Sequence, residues 1–316
     1  MAQKATGVFT EEDVITLSER FREPDWLRNF RLDAFRRYLE LPLELSPLYT
    51  KYTSVSNFDP NQFSVRTEEE EIDFRSYFDS YLSGKETNIL LQANATMVHV
   101  DLDESLARKG LELMSIHEAV SKKESLMREL FGTKLVNSEG EKYAAFNNAF
   151  FNSGTYIHIP RGLVLEAPIR KMLLVHEPRG SIIEQTIIHA EEGSKLNFLE
   201  ELYTKESSKI SLVSSAFEVR AMPGANVGVS SLQLLDEKTV YLSNKNVSAL
   251  NDSRITSTAI LLGSWITRSR MNLLMNGRGS AVEGFEVFFC GGKQRFDLES
   301  NLVHNSPDST AATHAR

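Results

Sequence analysis

The residues of this 316-residue chain that could do metal or sulfur chemistry are few and lie near its end. Cys290 is the one cysteine, closing the apolar run Phe285-Glu-Val-Phe-Phe-Cys290 ahead of Gly291-Gly292. Its thiolate could ligate a metal or accept sulfur, although a cysteine that ends an apolar run is ordinarily a buried, inert thiol. His304 lies in Asn301-Leu-Val-His-Asn305, with Asp308 and His314 a few residues on. Stacked turns could gather these into a weak metal site; the competing reading is a histidine that caps a turn by bonding a backbone carbonyl. Cys290 and His304 are therefore the weak candidates for metal ligands, and no cofactor-binding or catalytic residue is assigned. A single thiol makes neither an internal disulfide nor a thiolate-rich cluster site, so a cofactor of that kind would take ligands from a second chain. Other chemistries lack their motifs. No Gly-x-x-x-x-Gly-Lys-Ser/Thr loop occurs, and Asn152-Ser-Gly154 lacks the leading glycine of a nucleophile elbow. The chain is expected not to be an enzyme and to depend on a partner for any ATP-driven step.

The elements that carry these residues repeat. Six marks run through the second half: Gly162-Leu-Val-Leu165, Gly193-Ser-Lys-Leu196, Gly224-Ala-Asn-Val227, Asp252-Ser-Arg-Ile255, Gly279-Ser-Ala-Val282 and Pro307-Asp-Ser-Thr310, in steps of 31, 31, 28, 27 and 28 residues. Each is a turn former followed three residues later by an apolar or β-branched side chain, and runs rich in Val, Ile, Leu, Phe and Thr lie between. Such short strand units cannot bury their own apolar faces and must stack, so the spacing predicts a solenoid. The asparagines Asn244, Asn246 and Asn251 fit ladder positions at its turns, where side-chain amides bond along the stack.

The first third reads differently. Thr10-Glu-Glu-Asp13 has the form of a capping box, followed by Val14, Leu17 and Phe21 at helical spacing until Pro24. Leu27, Phe30, Ala34, Tyr38 and Leu41 form one stripe of a second helix that Pro42 ends. Residues 49–86 read as loop or irregular strand, with the acidic stretch 67–72 as solvated loop. Asn88-Ile-Leu-Leu-Gln92 and Thr96-Met-Val-His-Val100 read as strands, 103–109 and 115–131 as helix, and 136–142 as a polar hinge. The chain thus divides into a helical and mixed region, 1–142, and a β-helix core, 143–316.

Three segments resemble the SufB/SufD family, the core subunits of the SUF iron-sulfur cluster assembly system. Glu23-Pro-Asp-Trp-Leu-Arg-Asn-Phe-Arg-Leu-Asp-Ala-Phe35 is similar to the family's Glu-Pro-x-Trp-x-x-x-Phe-Arg-Leu-x-Ala stretch. Phe146-Asn-Asn-Ala-Phe-Phe-Asn-Ser-Gly-Thr-Tyr-Ile-His-Ile-Pro-Arg-Gly162, with Ala167-Pro-Ile169, resembles its entry into the β-helix, and Gly291 to Pro307 its segment ending in a His-x-x-Pro turn. The resemblance implies a right-handed parallel β-helix behind an N-terminal helical part, in a non-catalytic scaffold. It also implies pairing with a SufB-type chain through the β-helix edge, work with the SufC ATPase, and a transient iron-sulfur cluster in the complex, none being bound by this chain alone. Where SufB-type chains carry a cysteine, this one has Leu202, and where they carry a tryptophan two places beyond an interior glutamine, here Gln233, it has Leu235. The first departure favours a SufD-like assignment, and with the second no transport role is carried over to Gln233. The family's further rungs and helical SufC-binding tail would follow the His-x-x-Pro turn, whereas this chain stops at Arg316 and is expected to be truncated.

Two other classes compete. Parallel β-helices include polysaccharide lyases with clustered charges on an exposed face, but Glu184, Glu200, Glu201, Glu218 and Asp236 do not recur in register with the turns. The alternative is a solenoid interaction protein that forms a homodimer without handling iron. A formal charge of -8 and the lack of any basic block argue against nucleic acid as partner. The apolar runs, such as Ala259-Ile-Leu-Leu262, are too short to span a membrane, and Met1-Ala-Gln-Lys-Ala5 lacks a signal-peptide core, so a cytoplasmic protein is expected.

Overall fold

The computed structural model describes residues 9–42, 63–65, 78–79, 81–82, 87–132, 140–176, 180–206 and 210–316. The acidic stretch 67–72, most of the stretch 49–86, the signal-peptide test segment 1–5 and hinge positions 136–139 lie outside the described residues.

Helix α1 (Glu11–Arg20) starts at Thr10, whose side chain and that of Asp13 each accept the other residue's backbone N–H, the reciprocal cap expected. Helix α2 (Asp25–Glu40) buries Leu27, Ala34 and Tyr38 of the expected stripe and also Arg31. After the strands β1 (Ile89–Ala93) and β2 (Thr96–Asp101) come α3 (Glu104–Arg108), β3 (Glu112–Ser115), α4 (Ile116–Lys122), α5 (Glu124–Gly132) and α6 (Lys142–Phe150). The helical run over 115–131 is thus two helices, with Lys123 in a non-helical conformation between them.

From Ser153 onward the chain coils between two sheets. Strands β4 (Ser153–Ile159), β6 (Ile182–Ala190), β8 (Ser211–Ala221), β10 (Thr239–Ala249), β12 (Ile266–Met275) and β14 (Arg295–His304) stack in parallel in one. Strands β5 (Ile169–His176), β7 (Lys195–Glu206), β9 (Asn226–Leu234), β11 (Arg254–Leu261), β13 (Ala281–Phe288) and β15 (Thr310–Ala315) stack in parallel in the other. The protein is mainly β, a parallel solenoid behind N-terminal helices. The N-terminal region contributes to the same sheets: β1 pairs in parallel with β5, and β3 pairs antiparallel with β4.

The repeated marks are the turns that join the two sheets. Gly162, Gly193, Gly224, Asp252 and Gly279 all have φ between 55° and 70°. This left-handed conformation costs an ordinary residue about 1–2 kcal/mol and is tolerated by Gly and, through local hydrogen bonding, by Asp. Each of these backbone N–H groups donates to a carbonyl one rung on, as Gly193 does to Pro223 and Gly224 to Asn251. The sixth mark is displaced by one residue from the sequence reading. The left-handed position is Asp308, not Pro307, because proline's ring holds φ negative. The apolar residue three places on therefore becomes Ala311, which pairs with Val282 and continues the column from Leu196, Val227 and Ile255.

Inside the coil, apolar side chains flank a polar middle. Leu196, Phe198, Phe217, Val219, Val227, Val247, Ile255 and Leu273 pack on the turn side. Leu173, Val175, Leu202, Val213, Leu235, Tyr241 and Leu261 pack on the other. Outside, α6 lies across β6, β8 and β10, seating Tyr143, Phe146 and Phe150 in a cluster with Ile183, Ile187, Leu212, Val240, Leu242 and Ile266. The two ends differ. At the N-terminal end the sheets finish in the antiparallel strands β2 and β3; at the other they finish in the parallel strands β14 and β15, which are largely exposed among the described residues.

Candidate functional site

The middle of the bore carries charge. Strand parity turns Ile169, Lys171, Leu173 and Val175 inward, so Lys171 enters the interior and is fully buried. Its ammonium donates to Glu184 Oε1 at 2.8 Å, Thr186 Oγ1 at 3.1 Å and Glu200 Oε1 at 3.2 Å. Burial disfavours the ammonium, but the two facing carboxylates outweigh it and hold its pKa above the ordinary lysine value. Burial pushes Glu184 up, with Lys171 opposing and Glu200 adding to the rise. Further along, Lys245 is 5% exposed and donates to Ser231 Oγ at 2.9 Å. Burial lowers its pKa to about 8, with Glu200 and Glu286 opposing. Gln233 also points inward: its Oε1 accepts from Gly263 N at 2.8 Å and its amide faces Thr267 Oγ1 at 3.4 Å. Leu202 and Leu235 lie in the apolar cluster beside it. The bore is a core lined with packed side chains, in which Lys171 is held between two carboxylates and Lys245 bonds a serine hydroxyl.

The residues named for metal chemistry lie on the uncapped end and do not converge. Cys290 is exposed, not buried, because β13 ends at Phe288 and the last turn leaves the following residues uncovered. Its thiol sits 3.3 Å from the Gln294 carbonyl oxygen, while the Gln294 side chain accepts from Gly291 N and donates to the Ser264 carbonyl. His304 closes β14 at the far end of that strand, so roughly 30 Å of extended chain separates it from Cys290. It bonds the Ser309 hydroxyl at 2.8 Å rather than a backbone carbonyl. His314 stacks on Phe285 and faces Glu283 at 3.3 Å, and Asp308 pairs with Arg278 at 2.8 Å. Among the described residues no group of three or more His, Cys, Asp or Glu side chains is arranged to hold a metal ion.

Sequence reasoning passed over the buried charges. Arg31 is fully buried, forks onto Glu23 at 2.6 and 2.8 Å, bonds the Ala149 carbonyl, and lies over the Phe151 ring with 3.6 Å to its centroid. This clamps α2 to the end of α6. His117 stacks on Phe21 at 3.5 Å, and burial together with Arg31 lowers its pKa to about 3. Lys171 and Glu200 had a legible signal, a charge at an inward parity position. Arg31 had only its helical phase near Leu27 and Phe35. One asparagine ladder runs mid-strand, where Asn301 donates to Asn272, Asn272 to Asn246, and Asn246 to Glu218; at the turns Asn251 accepts from Arg278 N, and Asn305 donates to Asn276. The acidic residues weighed for a lyase do not form an exposed row, since Glu184 and Glu200 are inside the bore and Glu218 is buried.

A parallel β-solenoid behind N-terminal helices is the class that the fold defines. The description SufBD protein N-terminal region matches residues 11–170, and SUF system FeS cluster assembly, SufBD core domain, matches residues 173–316. The chain belongs to the SufBD family, and membership places it in iron-sulfur cluster assembly. Among its relatives are iron-sulfur cluster assembly SufBD family proteins of Staphylococcus epidermidis and Staphylococcus haemolyticus, each 24% identical over 319 residues. A third, from Staphylococcus saprophyticus, is 23% identical over 327 residues. Each alignment covers 96% of this chain and 67% of the relative. No helix among the described residues is long and apolar enough to cross a membrane.

Proposed function

We propose that this chain is a non-catalytic, SufD-like scaffold subunit that pairs with a SufB-type chain through its open solenoid end and works with the SufC ATPase. The observation that supports the reading is a pair of edge strands: among the described residues β14 and β15 each have a neighbouring strand on one side only, beside the exposed Leu302 and Val303. Such an edge favours strand pairing unless it is covered. Cys290 stands on the same end, with its thiol exposed, where a second chain could complete a ligand set that one thiol cannot. Leu202 in the place of the family cysteine favours the SufD-like over the sulfur-accepting role. SufC would supply the ATP-driven motion that opens this junction, and a cluster would be held transiently by the assembly, in the cytoplasm.

The test is anaerobic co-expression of the tagged chain with SufB-type and SufC subunits, followed by pull-down and measurement of subunit ratio, iron and sulfide. Recovery of the SufB-type chain, lost when Leu302 and Val303 are both changed to lysine, supports pairing at this end. Recovery of neither subunit overturns the reading. A complex whose iron content is unchanged by Cys290→Ser removes that thiol from the ligand set.

A further inference from the structure

Helices α4 and α5 pack on the outer face of β4, β6 and β8, and the seam beneath them is built from titratable side chains. Strand parity turns Ile157, Ile159 and Ile188 into the bore, so Tyr156, His158, Ile187 and His189 face outward. Tyr156 and Ile187 are buried in one cluster with Ile116 and Val120 of α4 and Met127 and Leu130 of α5. Beside them, in-register pairing sets Glu112, His158, His189 and Arg220 in one row across β3, β4, β6 and β8. Charged and titratable groups link this row end to end. Lys123 Nζ stands 2.6 Å from Glu112 Oε2, and His158 presents Nδ1 to that oxygen at 3.5 Å and Nε2 to Glu191 Oε1 at 3.5 Å. His189 Nε2 meets the same Glu191 oxygen at 3.4 Å, and Arg220 pairs with Glu129 of α5 at 3.1 Å. His189 is 4% exposed, and neither of its ring nitrogens has a hydrogen-bond partner among the described residues.

We propose that this seam is an acid-operated latch, which holds α4 and α5 against the solenoid while His189 is neutral and releases them when His189 takes up a proton. An imidazolium at this place would be cut off from water, with the His158 ring centroid 5.9 Å away and the Arg220 guanidinium beside it. Glu191 is the near carboxylate, but it makes no hydrogen bond to the ring, and Glu129 is already paired with Arg220. Such partners do not offset the burial of a charge. Burial lowers the His189 pKa to about 4, with Arg220 and His158 adding to the fall and Glu191 and Glu129 opposing it. Once the seam opens, the ring returns to its ordinary value near 6.5. Between those values the open form binds more protons, so closure is fully favoured above about pH 6.5 and weakens as the pH falls toward 4. From pH 8 to pH 5 this one ring raises the opening equilibrium about thirtyfold. Glu112, Lys123 and Tyr156 face His158 rather than His189. His117, at the start of α4, stacks on Phe21 with a pKa lowered to about 3 by burial and Arg31, and adds an acid sensitivity of its own.

The test is hydrogen–deuterium exchange of the full chain at pH 8 and pH 5, read by mass spectrometry and corrected for the intrinsic exchange rate at each pH. Peptides over α5 should lose about thirtyfold protection or more on going to pH 5, and peptides over β10 and β12 less than about threefold. In His189→Gln the α5 loss should be at least about tenfold smaller than in the wild type, whereas His117→Gln should keep a loss of at least about tenfold, which tells the two histidines apart. Circular dichroism checks that the variants are folded, and His189→Asn serves if His189→Gln is not. A second measurement needs no variant: exchange of the His189 ring C–H in the wild-type chain should report a ring still neutral at pH 5. An α5 loss equal in the wild type and His189→Gln, a loss shared equally by β10 and β12, or a His189 ring that titrates near its ordinary value in the folded chain overturns the proposal.

Discussion

Lys245 is a buried residue whose charge the fold disfavours. Its pKa falls to about 8 by burial, against an ordinary value near 10.4 in the unfolded chain. Between those values the unfolded state binds more protons, so this lysine makes stability rise with pH over that range, and its cost is fully present below about pH 8. Lys171, whose pKa is raised, works in the opposite sense only at higher pH: its contribution is present below the unfolded value and lost above it. Urea unfolding at pH 7 and pH 9.5 should find the wild-type chain more stable at the higher pH and a Lys245→Met chain with that difference reduced; an equal rise in both would show that Lys245 is not its source. Arg31 is the contrasting case, a buried charge with a partner. Arg31→Ala strands Glu23 without its fork and should cost about 3–5 kcal/mol in the same assay; a loss below 1 kcal/mol would mean the pair is not what clamps α2 to α6. Neither charge was legible from composition, since each is read only once strand parity or helix phase fixes which way it points.

At the scale of elements, the turns were the most legible part of the chain. At the marked turns that join the two sheets the left-handed positions hold Gly or Asp, and those residues recur with the rungs. The one displaced mark, Pro307 for Asp308, arose because proline and aspartate are both turn formers and only φ separates them. Gly193→Val should cost about 1–2 kcal/mol through φ alone, since nothing lies within 4 Å of the position a Cβ would take; a thermal melt unchanged from wild type would count against that account. Gly154 differs in kind: a Cβ there would overlap the Gln185 carbonyl, so Gly154→Ala should disturb the seam between β4 and β6. The division of α4 from α5 was hidden because apolar spacing runs straight through Lys123. The sites were less legible than the fold for a related reason: nearness in sequence says little about distance in a solenoid, where the ends of one strand are remote and equivalent places on successive rungs adjoin. Cys290 and His304 are of the first kind, Lys171 and Glu200 of the second.

For the whole chain, the two ends of the stack differ in strand direction: β2 and β3 pair antiparallel, whereas β14 and β15 pair in parallel. The isolated chain should self-associate with concentration through β14 and β15, and Leu302→Lys with Val303→Lys should shift sedimentation toward monomer; a wild-type chain monomeric at every concentration would show that the open edge is already satisfied. The antiparallel strands β2 and β3 at the other end have a further consequence. A solenoid that stacked head to tail would have to continue its parallel ladder on a neighbour and, with nothing to stop it, would grow into a filament. Here the direction of pairing is reversed at one terminus, so the incoming edge does not find the parallel template that the rungs offer one another. A two-fold axis joining two open ends instead sets their edge strands antiparallel and uses both at once. Such symmetry closes on itself, and the count of subunits in the assembly is then limited by the strand direction at its far end.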